Sequence, residues 1–302
     1  MIGAGGGVKQ SFGNLRCAAI VLLALLAGGC DRMVVLNPKG PIADAERGLL
    51  IDAFTVMMVV VVPVIVMAFL FAWRYRASNR EARYEPNWAY SAKIDAVVWL
   101  VPALIVIAVA VLVWRSTHKL DPYREIASDV APLDIQVVGQ DWKWLFIYPE
   151  QGVASVNQMA IPAGRPVSLR ITSDTVMNSF YVPALAGQIY AMAGMQTRLQ
   201  LLANGPGKFV GRNSQYSGGG FSDQFFEVVA TNQAGFDSWV ARARQAPDKL
   251  DPATYAKLAE KSRLNLIVYY SAVERRLFDS IIDKYTGGHQ AHGQVPTAPA
   301  RR

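Results

Sequence analysis

Apolar and polar residues alternate with period two from Leu133 onward: Leu133, Ile135 and Val137 are separated by Asp134 and Gln136. That alternation predicts a strand with one buried face. Trp142, Trp144, Phe146 and Tyr148 continue it on one face, with Lys143 and Ile147 on the other. Further strand-like runs cover residues 166–172, 178–182, 197–202, 208–210 and 225–231, separated by Pro, Gly and Asn. The spacing is that of a sandwich, so residues 133–231 are expected to form an antiparallel β-sandwich.

Upstream, the alternation gives way to unbroken apolar runs. Residues 53–73 contain no charge over 21 positions, and residues 96–114 none over 19. At ~1.5 Å per residue each reaches about the ~30 Å of a bilayer's hydrocarbon layer. Trp73, Trp88, Tyr90 and Trp114 flank the runs as interfacial aromatics do. Pro63 and Pro102 fall inside them and are expected to kink or locally unwind the helices. A third run, residues 17–29, follows Lys9 and Arg16 and is too short to span; it fits the core of an export signal. It ends in Leu26-Ala27-Gly28-Gly29-Cys30, which resembles a bacterial lipoprotein cleavage box with Ala27 where a branched residue is usual. On that reading residues 1–29 are removed and Cys30 is lipidated. A plain signal peptide or a buried cysteine is the alternative. Asp31 resembles an inner-membrane retention signal.

After the sandwich, helical signals return over residues 232–285. Asp251-Pro252 reads as an N-cap with Pro at the first helical position. Ser271 and Glu274 read as a capping box ahead of Leu277, Ile281 and Ile282. Residues 286–302 are expected to be a disordered tail, with His289 and His292 in it solvated.

Composition sharpens this picture at three points. The 302 residues are 52% hydrophobic and 18% charged, with the apolar excess in the membrane part. The net charge of +7 does not imply nucleic acid, because the Lys and Arg residues are scattered and many flank the spans. Arg74, Arg76, Arg80, Arg83 and Lys93 lie between the spans. That loop is therefore expected in the cytoplasm, and the sandwich in the periplasm of a bacterial inner membrane. The chain holds two Cys, Cys17 and Cys30, and three His: His118, His289 and His292. Residues 119–288 thus contain neither. Asp95, at the cytoplasmic mouth of the second span, is either an interfacial residue or a carboxylate through which protons enter.

Two spans followed by a sandwich, together with Met177-Asn178-Ser179-Phe180-Tyr181-Val182-Pro183, Met192-Ala193-Gly194-Met195 and Ser217-Gly218-Gly219-Gly220-Phe221-Ser222, resemble subunit II of the haem–copper terminal oxidases. The resemblance covers about residues 30–285. Asp141-Trp142-Lys143-Trp144 and Tyr148-Pro149-Glu150-Gln151-Gly152 are similar to the quinol-oxidase branch of cytochrome bo type, as is the helical arm after residue 232. The resemblance implies a membrane α-hairpin (residues 30–115), a cupredoxin-like sandwich (116–231) and an aromatic-rich helical arm (232–285). In the cytochrome c branch the sandwich holds a two-copper centre. Its ligand positions fall here on Asn178, Asn213, Gln215, Ser217, Phe221 and Gln224. Copper in such a site takes thiolate and imidazole, which amides, a hydroxyl and a phenyl ring do not replace.

The implied function is that of a structural, non-redox subunit in a proton-pumping ubiquinol oxidase. Haems and one copper are expected in subunit I, with small membrane subunits as further partners and quinol reaching the complex from the bilayer. Asp95 aligns with a Glu at the mouth of a proton pathway, and Trp142 with a tryptophan through which electrons enter the copper branch. Here Trp142 is expected to serve packing. The competing readings are a copper-bearing cytochrome c oxidase subunit II and a lipid-anchored scaffold protein.

Overall fold

A computed structural model of the protein describes residues 33–82, 86–263 and 266–287. Cys17, Cys30, Arg83, His289 and His292 lie outside the described residues. Two compact units result: residues 45–124, and the rest of the chain.

Two helices make up the first unit. They are α1 (Pro41–Arg74), whose opening residues belong to the other unit, and α2 (Ala92–Lys119). Both extend past the uncharged runs at each end. Neither Pro63 nor Pro102 interrupts its helix, so the expected local unwinding is absent. Phe54, Phe69, Leu104, Ile107 and Trp114 each expose more than half their surface. A helix that is apolar on all sides and unburied within its own chain belongs in lipid or against a partner.

The second unit holds two sheets. One runs β11-β3-β2-β1-β5-β8, the other β4-β10-β9-β6-β7. The strands are β1 (Leu133–Gln140), β2 (Lys143–Tyr148), β3 (Val153–Val156), β4 (Gln158–Pro162), β5 (Val167–Ser173), β6 (Asn178–Tyr181), β7 (Gln188–Ala191), β8 (Thr197–Leu201), β9 (Gly207–Asn213), β10 (Phe225–Thr231) and β11 (Val268–Tyr270). Three helices follow the sandwich: α3 (Gln233–Arg244), α4 (Pro252–Ala259) and α5 (Leu277–Thr286). The sandwich is mixed rather than antiparallel. β5 lies parallel to β1, with Leu133 opposite Val167, and β4 lies parallel to β10. The reason is connectivity: β2 to β4 intervene between β1 and β5, so β5 returns beside β1 in the same direction.

Three other expectations change. β3 and β4 are not among the expected strands: both are buried throughout, so neither shows the alternation of a strand with one buried face. Asn157, at φ 57°, turns the chain from one sheet to the other between them, and its side-chain oxygen accepts the Trp144 N–H at 2.9 Å. Trp142 is not in the strand; it sits at φ 65° in the turn joining β1 to β2. Ser271 and Glu274 do not cap α5, which begins at Leu277 without a side-chain cap. The Ser271 hydroxyl instead donates to Asp248 O, and Glu274 N–H donates to Leu250 O. The Asp251 cap of α4 does form, accepting Thr254 N–H at 2.7 Å.

Core side chains fill the space between the sheets. Ile135, Val137, Trp144 and Phe146 meet Phe180, Phe226 and Val228. The Phe180 and Phe226 rings stack at 5.0 Å, and the Trp144 ring stands edge-on to both. The outer face of β2 is buried as well. Val138, Leu145, Ile147 and Val156 pack against Tyr255, Leu258, Leu277, Phe278 and Ile281 of the arm. The segment before α1 also docks on this unit. Lys39 N–H donates to Ala184 O at 2.7 Å, and Asn204 N–H to Lys39 O at 2.8 Å. A Cβ on Gly40 would lie 2.3 Å from Leu202 O, so only glycine fits there.

Gln158 gathers several elements. Its side-chain oxygen accepts Trp239 Nε1–H and Tyr269 O–H, while its nitrogen donates to Glu227. Lys208 sits 2.9 Å from the same carboxylate. The Lys208 bond, aided by Gln158, holds the Glu227 carboxyl below the usual range against the opposing effect of burial. A lowered folded pKa contributes stability that is present above the unfolded value and lost as pH falls through the folded one. Melting of the detergent-solubilised chain is therefore expected to weaken with acid in that window. Glu227→Gln should flatten this acid limb; an unchanged limb would remove Glu227 from the account.

Candidate functional site

One end of the sandwich collects the turn between β1 and β2, the 174–177 loop, and the segment joining β9 to β10. Asn178 opens β6 and Asn213 closes β9, and these strands pair. Gln224 precedes β10, and Ser217 lies in the intervening loop. Asn178, Asn213 and Gln224 are buried.

These side chains bond to one another. The Asn213 amide nitrogen donates to Asn178 Oδ1 at 2.8 Å and Gln224 Oε1 at 2.9 Å, with Ser217 Oγ at 3.1 Å. Its Oδ1 accepts the backbone N–H of Ser179 and of Gln215. Gln224 Nε2 donates to Asn178 Oδ1 and to Gln140 O, and Ser217 O–H donates to Gln224 Oε1. Asn178 Nδ2 donates outward to Ser173 Oγ and Val176 O. Each carboxamide therefore spends its oxygen and its N–H groups inside the protein. A fully paired buried network of this kind rigidifies the elements it joins.

The donor set does not fit a two-copper centre. Amide nitrogens that donate hydrogen bonds offer no lone pair, and the amide oxygens are already engaged. Thiolate and imidazole, the groups such copper selects, are missing from residues 119–288 altogether. Of the six aligned positions, four join by side chain and Gln215 by its backbone N–H. Only the side chain of Phe221 stands apart, with its ring 5.8 Å from that of Tyr216, while its carbonyl accepts the Gln224 N–H.

Trp142 lies across the glycines of the same loop. A Cβ on Gly220 would fall 2.2 Å from its ring, and Gly218 has φ 108°. The indole N–H donates to Ser217 O at 3.2 Å, and Arg263 of the arm sits 5.9 Å over the ring. Trp142 is half-buried packing between arm and loop. Its left-handed backbone costs about 1–3 kcal/mol, which these contacts must hold in place.

Sequence reasoning missed the residues by which the arm grips this end. The Asp174 carboxylate is 1% exposed and accepts Tyr255 O–H at 2.7 Å and Lys284 Nζ at 2.8 Å. Tyr285 O–H donates to Asp174 O. The Asp174 bond raises the pKa of Lys284, and burial, with Asp174 adding to it, raises that of Tyr255. Lys143, fully buried, donates to Glu260 O at 2.7 Å and Ser262 Oγ at 2.8 Å just past α4. Burial lowers its pKa, partly opposed by Asp141 and Glu260. A Lys inside an otherwise aromatic strand was the one available signal. Asp174, in a loop, carried none.

Asp95 lies in the first turn of α2, exposed, its N–H donating to Ser91 O at 2.9 Å. An acid there complements the helix dipole.

Comparison with known proteins adds two family models and a set of relatives. The model described as "Cytochrome C oxidase subunit II, periplasmic domain" matches residues 151–232, and the "COX Aromatic Rich Motif" matches residues 244–289. The chain is 52% identical to the cytochrome bo(3) ubiquinol oxidase subunit 2 of Pseudomonas putida, over 90% of this chain and 87% of that one. It is 52% identical to the protein of the same name in Pseudomonas aeruginosa, over 89% and 81%. It is 47% identical to ubiquinol oxidase subunit 2 of Acetobacter aceti, over 88% and 86%.

Proposed function

The chain belongs to the ubiquinol oxidase subunit 2 family, and from that premise we propose that it is the non-redox subunit II of a membrane-bound terminal oxidase that oxidises ubiquinol and reduces oxygen to water. The observation that carries this is the closed amide network at the aligned copper positions. A sandwich that cannot take copper there cannot accept single electrons from a soluble donor at that place. Ubiquinol is dissolved in the bilayer and can reach a haem-bearing subunit I without passing through the sandwich. The helices α1 and α2, apolar on all sides, support a seat in lipid beside such a partner.

The finer assignments belong to the same reading. Haems and one copper reside in subunit I, and small membrane subunits complete the complex. The sandwich faces the periplasm of a bacterial inner membrane, an orientation that the basic loop between α1 and α2 supports. Cys30 carries the lipid, which two spans make helpful rather than essential for anchoring. Asp95 marks the place where protons enter from the cytoplasm. Its side chain is about one methylene shorter than the Glu of the resemblance, so reach rather than charge differs.

Purification through a tag on this chain in mild detergent tests the reading. The expected preparation shows haem absorbance and consumes oxygen with ubiquinol but not with reduced cytochrome c. A chain that purifies without haem, or one whose turnover needs cytochrome c, contradicts it. Mass spectrometry of the same preparation should find an acylated N-terminal Cys30; an unmodified cysteine rejects the anchor. Asp95→Ala is expected to lower turnover about tenfold or more with assembly intact, in the range of a lost proton-transfer group. Wild-type turnover would leave Asp95 as an interfacial residue.

A further inference from the structure

The arm and the amide network meet in one short loop. Asp174 takes Tyr255 from α4 and Lys284 from α5 on its carboxylate, and Tyr285 on its carbonyl. Its own N–H donates to Gly139 O at 2.9 Å. The next residue, Thr175, donates its hydroxyl to Asp141 at 2.6 Å, and Lys261 of the arm lies 3.6 Å from that carboxylate. Ser173, the last residue of β5, and Val176 of the same loop accept the Asn178 amide. Asn178 in turn takes Asn213 and Gln224. A second tie runs from Arg263, which donates to Gly219 O at 2.7 Å and faces Asp223 at 3.9 Å. From α5 to the 213–224 segment the links are thus direct contacts except one step, from Asp174 to its chain neighbours Ser173 and Val176, which the backbone carries, and the central carboxylate is out of solvent.

We infer that the C-terminal arm is a brace for the site. Through Asp174 and the 173–178 loop it holds the network and the 213–224 segment in a single arrangement, as a bound metal would by cross-linking them. The brace and the network are one cooperative unit, so loosening either loosens the other. Coupling of this kind is reciprocal. It also has a stated route, from α5 to Asp174 to Asn178 to Asn213. The inference rests on these contacts alone and does not depend on which electron donor the complex uses.

Hydrogen exchange on the intact complex, followed by peptide mass spectrometry, reads the coupling directly. In the doubly substituted Tyr255→Phe, Lys284→Met protein, exchange is expected to rise about tenfold over residues 213–224 as well as over the arm, because linked segments open together. Asn213→Ala is expected to raise exchange in residues 251–287 in return. Ser217→Ala, which removes fewer bonds, serves if Asn213→Ala does not accumulate. Lys284→Arg, which keeps the charge at Asp174, should restore slow exchange in both segments. Residues 160–165, bonded to Thr231 and Ala203 rather than to the arm, should stay protected throughout. A rise confined to the segment that carries the substitution overturns the inference. So does a uniform rise that includes residues 160–165, which would report general loosening instead.

Discussion

The Asn213 carboxamide ties two neighbouring strands, β9 and β6, to the segment that leads into β10, and the arrangement of the sandwich end depends on it. It closes β9, receives the backbone of β6 and of the following loop, and donates into Asn178 and Gln224. A buried amide left unpaired costs about 1–3 kcal/mol, so the group is tolerable only with all partners in place. The same requirement settles the chemistry. A network that pairs the carboxamides of Asn178, Asn213 and Gln224 from within holds its loops together and offers a metal no thiolate or imidazole. Neutral hydrogen bonds thus join the aligned positions, and the proposed electron path of the complex bypasses this domain.

The arm answers a separate constraint. β2 and β3 are buried on both faces, and a sheet cannot leave Leu145, Ile147 and Val156 in water without losing the burial that stabilises it. Residues 250–282 cover that face and anchor themselves with few but buried polar bonds: Lys143 to the end of α4, and Asp174 to α4 and α5. A charge as buried as Asp174 is acceptable because Lys284 and Tyr255 both reach it. Coverage and bracing thus come from the same segment. The spans show the opposite case. Their apolar side chains stay largely exposed among the described residues, and in the proposed complex lipid and partner subunits would cover them.

Much of this was legible in the residues, for identifiable reasons. Unbroken apolar runs located α1 and α2, since neither period nor partner matters to a helix surrounded by lipid. β1, β5 and β10 were legible because at least part of each alternates. β3 and β4 were not, being buried on both sides, and the corner at Asn157 offered only an Asn as a signal. The parallel pairings could not be read from alternation at all, because alternation reports the face of a strand and not its neighbour. At the site, the residue types alone argue against copper, since amides, a hydroxyl and a phenyl ring stand at the aligned positions. How those residues satisfy one another, and that the Phe221 side chain stands outside them, required the structure. The Ser271–Glu274 spacing misled because a capping box has meaning only where a helix starts, and here Val273 bridges to Leu250 instead.

Copper quantification on the purified complex, combined with electron paramagnetic resonance, tests the central claim most directly. The account predicts only the copper of subunit I and no mixed-valence thiolate-copper signal, including after incubation of the intact complex with copper. Two further copper ions per complex, with a mixed-valence signal arising from the periplasmic sandwich, would contradict it.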